Sequence, residues 1–384
     1  MSTPDLHAEM AAWRRHLHRH PEFGFEEYQT AAFVAEKLRG FGFEEVATGV
    51  GGTGVVATLR NGPGNTAIGF RADMDALRIT ETGTLPYRSQ TSGVMHACGH
   101  DGHIAMLLGA AKHLAETRDF NGILRFIFQP AEEWGKGMQA MLDDGLLTRF
   151  PIEEAYGLHN MPGLPVGSFA TRPGALMAAE DNFRITLTGM GGHASRPHEH
   201  ADALLAACAT VVAMQTVVSR QIDPAQLAVV SATELQADGT RNALAGSATI
   251  LGDARSFDPD VSQRIEARLR RIAEGTAAAH GCTAQFGYSR EFVPLINDTA
   301  LTEAAVQAAV AAAGDARLVE PHAARIGASE DFARLLAHVP GNFMFIGNGD
   351  SATLHNPAYD FNDAALPFGV GYFAKLAAGR LPKA

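Results

Sequence analysis

The stretch that decides the fold is Ile123–Glu133, with the sequence ILRFIFQPAEE. Its first seven residues are mostly branched or aromatic and end at Gln129, and Pro130 interrupts the run, so we expect a buried strand followed by a turn. A helical pattern covers residues 103–117 just before it, and an earlier strand-like run covers Thr66–Phe70. Strands that alternate with helices predict an α/β fold with a mainly parallel sheet and helices on both faces.

This alternation extends over most of the 384 residues, but its character changes near Asp181. From there to about residue 292 the pattern gives several strands and two long helices, the first of them over Ala201–Val218. A chain of this length also exceeds one core of ordinary size. We therefore predict a discontinuous catalytic domain of residues 1–181 and 293–384, with a smaller α+β domain of residues 182–292 inserted into it.

Composition excludes several classes of function. The net charge of -11 argues against nucleic acid and anionic membranes as partners. Three widely spaced cysteines do not suggest a disulfide framework and favour a reducing compartment. The longest apolar run, Ala203–Val218, is shorter than the about 20 residues that a membrane-spanning helix needs. The N-terminus has no apolar stretch of the signal-peptide type, so we expect a cytoplasmic protein.

One motif suggests dinucleotide binding but lacks the required context. Gly49–Gly54 (GVGGTG) matches the G-x-G-x-x-G pattern. That pattern binds a pyrophosphate only where a helix begins at the glycines. Here the strand-like run Val55–Leu59 follows instead. We interpret the glycines as a turn between two strands.

Side chains that bind metals occur in four segments placed next to predicted strands or helices. They are Asp73 and Asp75, Cys98 and His100, Glu132 and Glu133, and His159. In an open α/β sheet, ligands bind outside the carboxyl ends of the strands. These four segments therefore predict one common site.

Cys98 and His100 lie two residues apart in a glycine-containing loop, where both side chains could face one side. The same residue types would also suit a Cys–His nucleophile pair, or a loop with a buried cysteine. Together with His159, His355 and one glutamate, they form a borderline-soft ligand set that suits Zn, Mn, Co or Ni.

The adjacent pair Glu132–Glu133 is the more decisive feature. Two buried neighbouring carboxylates are costly unless cations neutralise them. One of them can bind metal while the other accepts a proton from a metal-bound water, as hydrolysis requires. The alternative is a solvated acidic turn, but the apolar strand just before the pair argues against it.

The chain resembles metallopeptidase family M20, in particular its amidohydrolase branch of hippurate hydrolases, N-acyl-amino-acid deacylases and auxin-conjugate hydrolases. Eight segments distributed over almost the whole chain carry this resemblance. They are Arg15–Glu27 (RHLHRHPEFGFEE), Phe70–Leu77 (FRADMDAL), Met95–His103 (MHACGHDGH), Gln129–Glu133 (QPAEE), Gly157–Asn160 (GLHN), Gly189–Pro197 (GMGGHASRP), Gly327–Phe332 (GASEDF) and Leu354–Asp363 (LHNPAYDFND).

The resemblance implies hydrolysis of the amide bond of N-acyl amino acids, with an acetyl or aroyl group as in hippurate. It also implies that Glu132 is the general base and that Asp75 orients a metal ligand. The ligands of the two divalent ions, Mn or Zn first and Co or Ni as alternatives, would be Cys98, His100, Glu133, His159 and His355. The inserted domain would act as a lid and join subunits into a homodimer or homotetramer.

In the inserted domain, the resemblance assigns His193 to stabilisation of the oxyanion. A polar turn residue is the alternative. The family's Asn-Val-Ile-Pro segment is Asn242–Ala245 (NALA) here, and Ala203 stands where a proline is expected. Asn242 and Arg255 are therefore only candidate substrate contacts, and an ion pair is an equally good interpretation of Arg255.

Three rival functions remain compatible with parts of the sequence. A dipeptidase or carboxypeptidase on the same scaffold would prefer free peptides over acylated amino acids. A non-catalytic binding protein would be expected to lose the base or a ligand, and all six positions are intact. A thiol enzyme using Cys98 would survive a chelator and be inactivated by alkylation.

Overall fold

The computed structural model describes residues 4–383, so the ends of the expected catalytic domain, residues 1–3 and Ala384, lie outside the described residues. The chain forms two compact units. The first comprises the residues up to Leu176, Ile296–Ala324 and the residues from Asp331 onward, and the second comprises Met177–Leu295 and Arg325–Glu330. The division into a catalytic domain and an inserted lid or dimerisation domain stays a prediction; the junctions between the units lie at 176/177 and 295/296, and residues 325–330 group with the second unit.

Within residues 4–383, the secondary structure follows the sequence patterns closely. The helices are α1 (Pro4–Arg19), α2 (Tyr28–Gly40), α3 (His100–Thr117), α4 (Gly137–Asp143), α5 (Leu146–Arg149), α6 (Ala203–Met214), α7 (Pro259–Ala279), α8 (Thr299–Ala313), α9 (Phe332–Leu336) and α10 (Leu366–Arg380). The strands are β1 (Glu45–Val50), β2 (Gly54–Asn61), β3 (Ala67–Asp73), β4 (Gly122–Gln129), β5 (Glu154–Pro162), β6 (Phe169–Ala170), β7 (Gly174–Met177), β8 (Ala179–Thr188), β9 (Gly192–His193), β10 (Ala228–Ala237), β11 (Ala243–Leu244), β12 (Ser247–Ser256), β13 (Thr283–Phe292), β14 (Leu295–Asn297), β15 (Val319–Glu320) and β16 (Gly341–Gly349). Short helical turns cover Glu132–Trp134, Pro197–Glu199, Val217–Gln221, Ala316–Leu318 and Asp363–Ala365.

The first unit is built on a sheet in the order β1-β2-β4-β3-β5-β16-β6-β15. Its centre, β4-β3-β5-β16, is parallel throughout, whereas β1 and β2 pair antiparallel at one side. Every residue of β3 and β4 is buried, as expected for strands covered on both faces. The predicted mainly parallel α/β sheet is therefore confirmed.

The glycine-rich segment Gly49–Gly54 contains the turn of the β1–β2 hairpin, at residues 51–53. Gly51 and Gly52 adopt positive φ values of 66° and 108°, which side chains with a Cβ rarely tolerate. Strand β2 begins at Gly54, where a dinucleotide site would require a helix. The interpretation of these glycines as a turn between two strands is confirmed.

The second unit contains a four-stranded antiparallel sheet in the order β10-β12-β8-β13. Alternate residues of β12 are buried, including Ala248, Ile250 and Ala254, and they share a core with helices α6 and α7. One face of the sheet therefore packs on helices. This arrangement matches the α+β pattern expected for the insertion.

The second unit contains both places where the sequence differs from the family pattern that it resembles, Ala203 and Asn242–Ala245. Asp202 caps α6 by accepting hydrogen bonds from the main-chain N–H groups of Leu204 and Leu205. The intervening Ala203 donates its N–H to the carbonyl of Ala245, at 3.1 Å. A proline at position 203 could not donate this bond. The N–H of Ala203 thus forms a hydrogen bond with the segment Asn242–Ala245, which is the second place where the sequence differs from the family pattern.

Candidate metal centre

The central parallel strands deliver the predicted site residues to one edge of the sheet. Strand β4 ends three residues before Glu132, β3 ends two residues before Asp75, and His159 lies in the last half of β5. His355 follows β16. Because these strands are parallel neighbours, their carboxyl ends lie together.

The side chains form one cluster in the first unit. The Cys98 Sγ lies 3.5 Å from the His159 Nε2. The Glu133 Oε1 lies 3.3 Å from the His355 Nε2 and 3.9 Å from the His100 Nε2. A carboxylate oxygen of Glu132 lies within 4.8 Å of ligand atoms of His100 and Glu133. The structure thus brings together the five expected ligands and the expected base, although their roles stay predictions.

Asp75 contacts two of these residues. Its carboxylate Oδ1 lies 3.2 Å from the His100 Nδ1, and its carbonyl oxygen lies 2.9 Å from the same nitrogen. Its Oδ2 accepts the main-chain N–H of Glu133 at 3.0 Å. With Nδ1 donating to Asp75, the Nε2 of His100 is left as the lone-pair nitrogen that a metal requires. These contacts suit the orienting role that the resemblance implies.

Two further residues belong to the cluster: Asp73, which the sequence placed at the site without a role, and His103, to which the sequence gave no place in the site. Ligand atoms of Asp73 and His103 lie within 4.8 Å of those of His100 and His159. The His103 Nδ1 lies 2.6 Å from the Asp73 carboxylate, and its Nε2 accepts the main-chain N–H of Asn160 at 3.0 Å. Because both ring nitrogens are engaged, His103 supports the site from within the protein.

Helix α3 begins at His100, so His103 lies in its first turn rather than at its start. The sequence signal for Asp73 was its place after a predicted strand, and it proves to be the last residue of β3. A pattern of residue types could not tell which of Asp73 and Asp75 faces His100 and which faces His103.

The turn that carries Glu132 is held in an uncommon backbone conformation. Ala131 has a φ of 46°, in the left-handed region that alanine rarely adopts. Its N–H donates to the buried Glu27 carboxylate at 2.8 Å, and the hydroxyl of Thr53 donates to the other oxygen of Glu27. Burial raises the pKa of Glu27 to about 7 despite these bonds. The Glu27 carboxylate thereby fixes the residue just before the expected base.

The electrostatics of the cluster favour bound cations. The carboxylates of Asp73, Asp75, Glu132, Glu133 and Asp331 lie in or next to it, and Arg71 pairs with two of them, Asp73 and Asp331. Burial and the neighbouring carboxylates raise the pKa of the Cys98 thiol. Burial opposes protonation of His100, but the surrounding carboxylates raise its pKa to about 10. The carboxylates contribute to both shifts, as expected where buried negative charge is in excess.

Two buried atoms in the cluster indicate that it suits a metal ion. Among the described residues, the His100 Nε2 has no hydrogen-bond partner, and neither has the Glu133 Oε1, whose 3.3 Å contact with the His355 Nε2 lacks hydrogen-bond geometry. Such an atom costs about 1–3 kcal/mol when it is left unsatisfied. Both belong to a sulfur, nitrogen and oxygen donor set that a borderline divalent ion prefers. The residues therefore fit a divalent metal centre.

His193 and Asn242 lie together in the second unit. Residue His193 of β9 pairs with Ala243 of β11, and the N–H of Ala194 donates to the carbonyl of Asn242. The exposed imidazole accepts the main-chain N–H of Ser195 at its Nδ1, at 3.1 Å. The proton of the neutral ring is therefore on Nε2, which makes that atom a hydrogen-bond donor.

Arg255, also in the second unit, takes part in ion pairs. Its guanidinium lies 2.9 Å from the carboxylates of Glu180 and of Asp253, and it donates to the hydroxyl of Ser329. These are the ion pairs that the sequence allowed as the alternative. A substrate contact by Arg255 stays a prediction.

The sequence pattern of peptidase family M20/M25/M40 matches residues 69–379. The chain belongs to this family. Hippurate hydrolase of Campylobacter jejuni is 39% identical over 373 residues, which are 97% of this chain and 97% of that protein. Thermostable carboxypeptidase 2 of Saccharolobus solfataricus is 38% identical over 340 residues, 87% of this chain and 84% of that protein.

A solved structure agrees with the family assignment. The crystal structure of a dinuclear metal-binding peptidase of family M20 from Bacillus subtilis matches with a TM-score of 0.86 and 34% identity, over 99% of each chain. The chain is therefore a metal-dependent amidohydrolase, and the enzyme class expected from the sequence is confirmed. Within residues 4–383, no helix has both the length and the apolar character to cross a bilayer. A cytoplasmic location stays a prediction.

Proposed function

We propose that this amidohydrolase cleaves N-acyl amino acids with an acetyl or aroyl group, releasing a carboxylic acid and a free amino acid. The observation that carries the proposal is the adjacent pair Glu132–Glu133. The Glu133 carboxylate lies beside His355 and His100, while Glu132 accepts the main-chain N–H of Asp331 at 3.4 Å. The 39% identity to a hippurate hydrolase over nearly the full length supports this substrate class.

In the proposed mechanism, the cluster would hold two divalent ions, with Mn or Zn preferred and Co or Ni as alternatives. The side chains that would bind them are Cys98, His100, Glu133, His159 and His355. When bound, such ions polarise the amide carbonyl and lower the pKa of a water molecule. This chemistry explains why the protein gathers so many carboxylates and imidazoles at one sheet edge.

The protein's own groups perform the proton transfers. Glu132 removes a proton from the attacking water and later delivers it to the leaving amine. Asp75 keeps the His100 ring in the tautomer with a free Nε2. We assign oxyanion stabilisation to His193, because its Nε2 carries the proton when Ser195 donates to Nδ1. Asn242 and Arg255 are the proposed substrate contacts.

Replacement of the base tests this assignment. Glu132→Gln preserves the size of the side chain but removes its basicity, so the variant should retain both ions and lose at least about 100-fold in kcat. Metal content is measured on the purified protein, and turnover is measured with hippurate, N-acetyl amino acids and dipeptides. Glu26→Gln, at an exposed glutamate outside the cluster, is the control. A fully active, metal-loaded Glu132→Gln protein would disprove the role of Glu132.

The second candidate is a dipeptidase or carboxypeptidase on the same scaffold. The 38% identity to thermostable carboxypeptidase 2 favours it. The same substrate panel separates the two, since a peptidase would cleave free dipeptides with a higher kcat/KM than acylated amino acids. Activity that survives a chelator and is abolished by alkylation of Cys98 would instead indicate a thiol enzyme.

We also propose that the second unit joins two copies of the chain. Strand β10 is the edge of its sheet, and Val229 on it is half exposed. Leu205 and Val212 on α6 are exposed by 56% and 73%. Exposed apolar groups beside an unpaired strand edge are typical of an interface. Light scattering should give a dimer or tetramer for the native chain and a smaller species for Val212→Asp, and a native monomer would refute the proposal.

A further inference from the structure

We infer that Tyr359 and Asn160 form a clamp that positions the metal ligands, an inference that rests on the proposed metal centre. Both side chains are fully buried. The Tyr359 hydroxyl donates to the Asn160 Oδ1 at 2.6 Å, and the Asn160 Nδ2 donates to the carbonyl of Cys98 at 2.6 Å. One amide group thus connects a tyrosine to the main chain of an expected ligand.

The clamp joins three segments that carry expected ligands. Asn160 follows His159 on β5, and its own carbonyl lies 2.7 Å from the His159 Nδ1. Tyr359 lies four residues after His355, whose N–H donates to the carbonyl of Ala97 at 2.8 Å. The Cys98 loop is therefore held by the strand that carries one histidine ligand and by the loop that carries another.

His103 also contacts Asn160. Its Nε2 accepts the main-chain N–H of Asn160 and lies 3.1 Å from the Asn160 Nδ2. The His103 Nδ1 is bound by Asp73. Asn160 is thus engaged through its N–H, its carbonyl and both ends of its side-chain amide. If the tyrosine hydroxyl is removed, the Asn160 Oδ1 loses this partner, and the amide becomes free to turn away from Cys98.

The test compares two buried hydroxyl groups. Tyr359→Phe removes the clamp, whereas Tyr372→Phe removes a hydroxyl that is equally buried and has no hydrogen-bond partner among the described residues. Groups that orient metal ligands typically contribute 10–100-fold to metal affinity. We expect Tyr359→Phe to weaken zinc binding by about 10–100-fold in competition with a chelator, and Tyr372→Phe to leave it unchanged.

A spectroscopic measurement separates positioning from general stability. The cobalt-substituted protein reports on the Cys98 thiolate through its charge-transfer absorption, which should shift in Tyr359→Phe only. Asn160→Ser, too short to span Cys98 and Tyr359, should reproduce this shift if Tyr359→Phe folds poorly. A Tyr359→Phe protein with a lower melting temperature but native zinc affinity and cobalt spectrum would overturn the clamp. Failure of the native chain to bind metal would instead overturn the proposed centre.

Discussion

Gly99 separates the two expected ligands Cys98 and His100, and its replacement by alanine should damage the centre. Gly99 has a φ of 88° and lies just before helix α3. A Cβ at this position would overlap the Asn160 side-chain amide and lie 2.5 Å from the Tyr359 hydroxyl. The substitution therefore imposes a backbone cost and a collision with the clamp.

Gly93 provides a control for the backbone cost. Its φ is 75°, and among the described residues no heavy atom lies within 4 Å of the place where its Cβ would be. Both alanine variants should lose about 1–2 kcal/mol of unfolding free energy from the left-handed conformation. Gly99→Ala should lose about 1–3 kcal/mol more, because Asn160 and Tyr359 must move in a packed interior.

Urea unfolding of the metal-free variants measures the free energies, and chelator competition measures zinc affinity. We expect Gly99→Ala to bind zinc about 10–100-fold more weakly than Gly93→Ala, since the displaced Asn160 holds the Cys98 carbonyl. Equal stability and equal zinc affinity of the two variants would refute the argument that this glycine is required by the clamp.

Two further predictions concern the surroundings of the centre. Burial opposes protonation of His18, but Asp101 and Glu81 raise its pKa from 6.5 to about 9, which corresponds to at most about 3 kcal/mol of stability. This stability is present below pH 6.5 and is lost as the pH rises through 9. The free energy of unfolding that His18→Gln loses relative to the native chain should therefore shrink between pH 6 and 10 in urea unfolding. A loss that stays constant over this range would contradict the prediction. The half-exposed Trp134 follows Glu133 and packs edge-on against Phe23. We propose that its exposed ring stacks on the aroyl group of the substrate, in which case Trp134→Ala should raise KM for hippurate more than for N-acetylglycine. Tyr28→Ala, at an exposed aromatic residue, should change neither KM, and an equal effect of the two variants would exclude a substrate contact by Trp134.

The sequence predicted the central sheet well because its strands are unusually apolar and end at clear interruptions. Runs such as Ile123–Gln129 are apolar throughout, and a proline or an acidic pair follows directly. The two-residue strand β6 and the edge strand β1 carry no such pattern. Strand β1 (EVATGV) is half polar, and only its pairing with β2 across the glycine turn identifies it.

For the site, residue types and their places beside strands predicted that four segments meet in one cluster, and the family resemblance added His355, but the support around these residues was not predictable. Asn160, Tyr359 and Glu27 act through hydrogen bonds to residues 62, 199 and 104 positions away. Such contacts depend on tertiary packing and leave no periodicity in the sequence. Asp73 and Asp75 show the same limit of sequence-based prediction. Their sequence contexts are nearly the same, but the Asp73 carboxylate contacts His103 and the Asp75 carboxylate contacts His100.

The position of β16 in the chain has a consequence for biosynthesis. This strand pairs in parallel with β5, and 178 residues, including the second unit, separate the two strands. All of these intervening residues must therefore be synthesised before β16 can add to the sheet and His355 can reach the cluster. Pairing over so long a separation is slow to form. Until His355 has been synthesised, the nascent protein carries an incomplete set of the expected ligands, so complete metal loading of the proposed centre would have to follow the synthesis of this last segment.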